Sequence, residues 1–299
     1  MTDLNSVVLP GEGQDGFCVG NQGTVLATRD GGETWQRVGV PTFEDLLTVW
    51  FLEDEREGFA AGAHGALLRT MDAGATWKLI QTGTRGNIHA IRFPNEKMGF
   101  LVGSGGMIMA TEDRGDTWHV QASPTGNDLL ALSFPIDEQT GFAVGAGCAL
   151  IKTTTSGGHW FPAGELDTMS HVALRGVCFP QDDMFGFAVG DQGTLMRTED
   201  GGDSWHVITG IRTPADLHQV LFPLNTEVGL VVGSGGTIMR TNDRGYSWVG
   251  CYCQTAEDVL DVDLRPDGFV GCACGRNGTI LLSTDGGASW VAPASIELQ

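Results

Sequence analysis

The sequence predicts an all-β fold, a seven-bladed β-propeller with four antiparallel strands in each blade. An eight-residue motif, T-x-D-x-G-x-[ST]-W, recurs along the chain, and its closing tryptophans are 41 to 45 residues apart. That spacing is the length of a four-stranded propeller blade. No segment has the i, i+3, i+4 apolar pattern of an amphipathic helix. Seven such units account for essentially all 299 residues, so we predict a single closed domain.

The strands of each unit follow one order. An apolar run, strand A, is followed by a Gly-bounded strand B, a tight glycine turn, strand C, the motif and strand D. The predicted A strands begin at Leu4, Leu46, Ile88, Leu129, Leu174, Leu217 and Val259, and the B strands at Gly16, Gly58, Gly99, Gly141, Gly186, Gly229 and Gly271. The predicted blades are approximately 1–40, 41–82, 83–123, 124–164, 165–210, 211–253 and 254–299.

The motif is an Asp box in the C–D hairpin. Its carboxylate can accept backbone N–H groups of its own turn, its Ser/Thr hydroxyl can bond back to that carboxylate, and its tryptophan packs between blades. The predicted structural residues are Asp30, Asp72, Asp113, Asp200, Asp243 and Asp285, with Trp35, Trp77, Trp118, Trp160, Trp205, Trp248 and Trp290. The fourth copy has Thr155 in place of Asp and His159 in place of Ser/Thr. A motif repeated around a ring is a folding device, so no box is expected to be catalytic.

Blade one has its own strand A, and blade seven has its own strand D. The register therefore predicts no exchange of strands between the termini. Ring closure is expected to rest on packing of blade seven against blade one, together with any contacts that residues 295–299 contribute.

The chain is strongly acidic, with 17 Lys+Arg against 37 Asp+Glu and a formal net charge of −20. Such a surface repels phosphate backbones and anionic lipid, so we expect neither nucleic-acid binding nor direct membrane insertion. No run approaches the length of a transmembrane helix. The N-terminus has neither a basic region nor a long apolar region, so we expect no signal peptide and a cytoplasmic location, or a particle assembled in the cytosol.

The role of the seven cysteines has two interpretations. Cys251/Cys253 and Cys272/Cys274 are i, i+2 pairs whose side chains share one strand face, so each pair could bridge or chelate a metal. Alternatively, Gly271–Gly275 aligns with Gly186–Gly190, which places Cys272 and Cys274 in core positions. The C-x2-C spacing of common metal sites is absent.

The residue just before each strand A is nearly always Asp or Asn. The seven positions hold Asp3, Asp45, Asn87, Asp128, Ala173, Asp216 and Asp258, and Glu44 and Glu257 add charge beside them. Each side chain could cap its strand or brace the neighbouring blade. Alternatively, Asp45, Asp128, Asp216, Asp258, Glu44 and Glu257 form a partner-binding rim that attracts a basic peptide or Ca²⁺ at the channel mouth. Loops that a rigid scaffold carries are where binding residues concentrate.

The segment Gly186–Trp205 resembles the repeat of the photosystem II stability/assembly factor family, which belongs to the Asp-box, or bacterial neuraminidase repeat, propellers. The likeness covers essentially the whole chain. It implies a seven-bladed, non-catalytic protein that binds an assembling partner. Asp-box propellers also include sialidases and other glycosidases, so the fold alone does not decide function.

An enzyme is the alternative. A sialidase-like site needs three arginines, a tyrosine nucleophile paired with Glu, and an acid/base Asp. Only Tyr246 and Tyr252 are present, both in peripheral positions, and only Arg92 and Arg175 lie on inner strands. His89 and His218 are expected to line the channel. We predict a protein-binding scaffold or assembly factor within a larger complex, a class that includes virions and other large bacterial assemblies. A glycoside hydrolase or carbohydrate-binding propeller is the alternative.

Overall fold

The computed structural model describes residues 2–135, 138–164, 171–180, 184–209, 213–223 and 227–297. It is a β-propeller of seven blades, each built from four successive strands. The innermost strands, which are strand A of each blade, are β1 (Leu4–Val8), β5 (Leu46–Phe51), β9 (Ile88–Arg92), β13 (Leu129–Ser133), β17 (Leu174–Cys178), β21 (Leu217–Leu221) and β26 (Val259–Leu264).

The B strands are fully buried and all keep the predicted bounds. They are β2 (Gly16–Gly20), β6 (Gly58–Gly62), β10 (Gly99–Gly103), β14 (Gly141–Gly145), β18 (Gly186–Gly190), β22 (Gly229–Gly233) and β27 (Gly271–Gly275). The C strands are β3 (Thr24–Thr28), β7 (Leu67–Thr70), β11 (Ile108–Thr111), β15 (Leu150–Thr153), β19 (Thr194–Thr198), β23 (Thr237–Thr241) and β28 (Ile280–Ser283).

The outer D strands are short. They are β4 (Thr34–Arg37), β8 (Lys78–Ile80), β12 (His119–Val120), β16 (Phe161–Pro162), β20 (His206–Val207), β24 (Val249–Gly250) and β29 (Ser289–Trp290). Two further strands, β25 (Tyr252–Cys253) and β30 (Ser295–Glu297), follow the D strands of blades six and seven. The helical segments in the described part of the chain are single 3-10 turns, in agreement with the sequence prediction, and none of these could span a membrane.

Ring closure differs from the prediction. The C-terminal strand β30 pairs in parallel with β4, the outer strand of blade one, in the register Ser295 to Thr34 and Ile296 to Trp35. The prediction that the termini exchange no strand is therefore wrong. An unpaired outer edge presents free N–H and C=O groups, and β30 covers that edge. The same arrangement occurs between blades six and seven, where β25, which follows blade six, pairs in parallel with β29, the outer strand of blade seven.

Five of the seven seams between blades contain an aromatic stack. The Phe of strand B stacks on the Phe at or just after the end of the next blade's strand A, and a box tryptophan meets the pair edge-on. Phe17 stacks on Phe51 at 4.5 Å between ring centroids, and Trp77 meets Phe51 at 6.0 Å and 88°. Such pairs contribute about 0.5–1.5 kcal/mol each beyond the area they bury.

Two seams lack this stack. Leu230 and Leu264 take the two Phe positions between blades six and seven, and the seam between blades seven and one also has no Phe pair. At the latter seam, Cys272 and Leu9 take the two Phe positions, and Cys18, Cys274 and the fully buried Trp35 join the same apolar cluster. Burial raises the pKa of Cys272 to about 12. These cysteines occupy core positions, as the alignment with Gly186–Gly190 predicts, and all seven cysteines are free.

Candidate functional site

The Asp boxes form the hairpin turns that the sequence predicts. In the first box, Asp30 accepts the backbone N–H of Thr34 at 2.9 Å, the Thr34 hydroxyl at 2.6 Å and the Thr28 hydroxyl at 2.8 Å. The equivalent Ser/Thr hydroxyl and backbone N–H donors in four other boxes stabilise the ionised carboxylate. They lower the pKa values of Asp72, Asp113, Asp200 and Asp243 to about 2. In the fourth box, Thr155 accepts the His159 N–H at 3.0 Å.

The D–A loops and B–C turns share one face of the propeller, and we call this face the rim. The N–H of Gly23, in the B–C turn of blade one, donates to the Glu44 carbonyl of the next D–A loop at 2.9 Å. The A–B loops lie with the Asp boxes on the opposite face, where the Gly31 N–H donates to the Gln14 carbonyl at 2.9 Å.

The side chains that precede the A strands brace the blades. Each accepts the backbone N–H of the left-handed residue in the preceding blade's B–C turn: Asp3 from Asn277, Asp45 from Gln22, Asn87 from His64, Asp128 from Gly105, Asp216 from Gln192 and Asp258 from Gly235, at 2.7 to 3.1 Å. The bracing interpretation is therefore observed in six of the seven positions. The Ca²⁺ and basic-peptide interpretation stays a prediction, and no group of three metal-ligating side chains occurs among the described residues.

A second signal at these loops was missed in the sequence. A Thr lies three residues before the bracing side chain in five D–A loops, and its hydroxyl accepts the N–H two residues on: Thr42 from Glu44, Thr84 from Gly86, Thr125 from Asn127, Thr213 from Ala215 and Thr255 from Glu257. The pattern T-x-x-[DN] before strand A would have found it. It makes each loop a compact turn that needs no contact with a partner to keep its shape.

Blade five departs from the pattern because Ala173 has no side-chain acceptor. There the Ala173 N–H donates to the Asp191 carboxylate at 3.3 Å, and Asp191 also pairs with Arg175 at 2.6 Å. Asp191 therefore orients the Arg175 guanidinium within its own blade.

Glu44 and Glu257 lie on the rim beside the bracing residues, as predicted. The Glu44 carboxylate is 2.7 Å from Nδ1 of His64, and the Glu257 carboxylate accepts the Asn277 side-chain amide at 2.8 Å. A cavity of about 250 Å³ lies next to Glu44 and is also lined by His64 and Leu79.

The most exposed apolar side chain on the rim is Phe43, which was also missed. Its ring is 90% exposed, although its loop is fixed on both sides. The Asp45 carboxylate accepts the N–H of Gln22, and a Cβ at Gly23 would lie 2.1 Å from the Thr42 carbonyl oxygen. Gly23, with φ of 62°, therefore lets the turn pack directly on the backbone that carries Phe43.

The channel is lined by the A strands. His89 and His218 lie in it, as predicted, and burial lowers the pKa of each. Arg92 stacks over Trp50 at 4.7 Å from the ring centroid. The Asp261 carboxylate accepts the Ser6 hydroxyl at 2.8 Å and the Val7 N–H at 3.0 Å, so it ties blade seven to blade one.

The residues that a sialidase would need are not brought together. Tyr246 lies in the sixth Asp box beneath Arg197, with 4.4 Å between the guanidinium carbon and the ring centroid, and Tyr252 lies in the outer strand β25. Arg92 and Arg175 line the channel on inner strands. The expectation that both tyrosines are peripheral is therefore confirmed.

Seven blades with Asp boxes on one face and braced loops on the other define an Asp-box β-propeller. The sequence profile described as "Photosynthesis system II assembly factor YCF48" matches residues 3–86, 75–163 and 162–253. The chain belongs to this family, as the resemblance of its repeat indicates.

Solved structures share the fold. A structure described as YCF48 bound to D1 peptide has a TM-score of 0.76 at 20% identity and covers 95% of this chain and 93% of its own. YCF48 from Cyanidioschyzon merolae has a TM-score of 0.74 at 18% identity, covering 94% and 95%. An ancestral GH74 enzyme has a TM-score of 0.79 at 13% identity and covers 97% of this chain but 46% of its own. The comparison with curated proteins gives no match.

Proposed function

We propose that this chain is a non-catalytic assembly factor that binds a protein partner at the rim, as a component of a larger complex. The observation that carries the proposal is Phe43, an aromatic side chain that is 90% exposed on a loop fixed by hydrogen bonds. Exposed aromatic groups on rigid loops are typical anchors of protein interfaces, because they bury a large area and lose little conformational entropy.

The surroundings of Phe43 indicate the chemistry of the partner. Glu44 and Asp45 follow it directly, and the cavity of about 250 Å³ beside Glu44 can receive a side chain. We expect a partner segment with an apolar residue to cover Phe43 and a basic residue to meet the carboxylates. Family membership supports a role in assembly, and the YCF48 structure that holds a D1 peptide supports peptide binding by this fold.

Comparative capture from the native source tests the proposal. Tagged wild-type protein, Phe43→Ala and Phe269→Ala would each be used to capture partners, which are then identified by mass spectrometry, and the affinity for the identified partner would be measured. Phe269 is the matched control, because it is 66% exposed on the opposite face. Loss of an interface anchor costs at least about 2 kcal/mol, or roughly 30-fold in affinity.

We expect Phe43→Ala to lose the partner and Phe269→Ala to keep it. Equal binding by both variants would contradict the rim assignment. A wild-type protein that migrates in native extract as a free 31.7 kDa monomer would contradict the larger complex.

The enzymatic alternative needs a separate assay. The GH74 structures are 12–13% identical to this chain, so they support the fold and no particular chemistry. Turnover of a fluorogenic glycoside that is abolished by substitution of one rim carboxylate would replace our proposal with a glycoside hydrolase.

A further inference from the structure

A separate cavity opens on the Asp-box face, at the end of the channel where the A strands finish. Its volume is about 490 Å³, which lies within the range of small-molecule sites. Most of the wall is apolar and includes Leu9, Leu52, Phe93, Leu264 and the Trp50 indole. The inner strands end here in Leu or Phe followed by a loop, so the apolar wall is a direct result of the repeat.

Every charged side chain that lines this cavity in the described part of the chain is acidic. Glu53, Glu55 and Glu96 come from A–B loops, and Asp263 comes from β26. Glu96 pairs with Arg114 at 2.9 Å. No ion pair of Glu53, Glu55 or Asp263 occurs among the described residues.

Of the four carboxylates that line the cavity, Asp263 is half-buried and the three Glu residues are exposed. One of its oxygens accepts the Leu9 N–H at 2.8 Å and the other accepts the Leu264 N–H at 2.9 Å. These two bonds fix the orientation of the carboxylate. Its charge interacts with that of Arg92 in the same channel, but no described cation forms a direct ion pair with it. A carboxylate removed from water is stabilised most by a cation that brings its own N–H donors.

We propose that this cavity binds a small organic cation, a primary ammonium carried on an apolar alkyl or aryl body. The ammonium lies at Asp263 and the apolar body packs against Trp50, Leu52 and Leu264. An anion is disfavoured because the lining charges within the described segments are all negative, and a neutral apolar molecule leaves Asp263 unpaired. The site is on the face opposite to the rim and is independent of the proposed function.

Titration calorimetry at pH 8, where the Asp263 carboxylate is ionised, tests this proposal with three matched probes. They are 2-phenylethylammonium, the neutral 2-phenylethanol and the anionic 3-phenylpropanoate, and Trp fluorescence gives a second readout. We expect the ammonium to bind at least about tenfold more tightly than the alcohol, and the carboxylate to bind least, since about 1.4 kcal/mol corresponds to tenfold. Trp50→Phe should reduce the fluorescence response.

Two isosteric substitutions locate the charge. Asp263→Asn should weaken ammonium binding by about tenfold or more and leave the alcohol within about twofold. Asp261→Asn is the matched control, since Asp261 lies two residues away on the same strand and lines the polar part of the channel. Circular dichroism and the thermal midpoint check that both variants fold. Equal affinity for ammonium and alcohol, no effect of Asp263→Asn, or an equal effect of Asp261→Asn would overturn the proposal.

Discussion

Asp263 makes the stability of this propeller depend on pH in an unusual direction. Its desolvation inside the channel raises its pKa from 3.8 to about 7, and the N–H groups of Leu9 and Leu264 offset only part of that cost. Between about pH 4 and pH 7 the folded state therefore holds a proton that the unfolded chain has already released. The stability that this proton contributes is present at low pH and is lost as the pH rises through about 7.

The size of the effect follows from the shift. Each pKa unit corresponds to about 1.4 kcal/mol, and the unfolded carboxyl is already ionised at pH 5. Between pH 5 and pH 8 the folded protein should lose about 3 kcal/mol through this group. Burial also raises the pKa of Asp261, which adds loss in the same direction. His89 and His218, whose pKa values are lowered, contribute with the opposite sign.

Substitution isolates the contribution of Asp263 from these other groups. Urea unfolding of wild type and Asp263→Asn would be measured at pH 5, 6, 7 and 8, with Asp203→Asn as control because the Asp203 side chain is 81% exposed. The free energy of unfolding of Asp263→Asn relative to wild type should rise by about 3 kcal/mol across that range, and that of Asp203→Asn should stay constant. Parallel curves for wild type and Asp263→Asn would refute the assignment of a raised pKa.

Three further predictions concern the ring. Ile296→Pro removes an N–H from β30 and should destabilise the protein by roughly 1–3 kcal/mol in urea unfolding, whereas Ile296→Val should cost less; equal costs would show that the parallel pairing contributes nothing. Trp35→Ala should cost about 3–5 kcal/mol, because Trp35 is fully buried at the seam, and a cost below about 1 kcal/mol would contradict that burial. Thr155→Asp combined with His159→Thr should restore the fourth Asp box and raise the thermal midpoint; an unchanged midpoint would show that the box carboxylate adds no stability there.

The sequence was sufficient for the parts of the fold that repeat. Strand B keeps its predicted bounds in all seven blades, because a Gly-bounded apolar run can only be buried between neighbouring blades. Ring closure was not predictable in the same way. The segment Ser295–Glu297 occurs once, and its partner strand β4 lies at the other end of the chain, so no internal comparison identifies the pairing.

The candidate site was predicted only in part, for a physical reason. The bracing carboxylates recur in the repeat, so comparison of the blades found them, but it could not tell bracing from ligand binding. That distinction depends on the turn of the preceding blade, which supplies the N–H donor. Phe43 was missed because one exposed aromatic residue in a loop has no periodic signal.

Functional residues in such a ring should be sought where the blades differ from one another. Side chains between blades are fixed by packing, which is why Phe, Gly and Trp recur there. Side chains that face the channel are free of this constraint. The position of Trp50 in strand A is held in the other blades by Val8, Arg92, Ser133, Cys178, Leu221 and Asp263. An aromatic residue and a half-buried carboxylate without a direct ion pair both occur at this level, beside a cavity of about 490 Å³. Trp50 and Asp263 each make a contact with a neighbouring blade, to Arg92 and to the Leu9 N–H, respectively. Val8 and Leu221 fill the same position in other blades, so a ligand gives a further reason for an aromatic ring and a carboxylate beside the cavity.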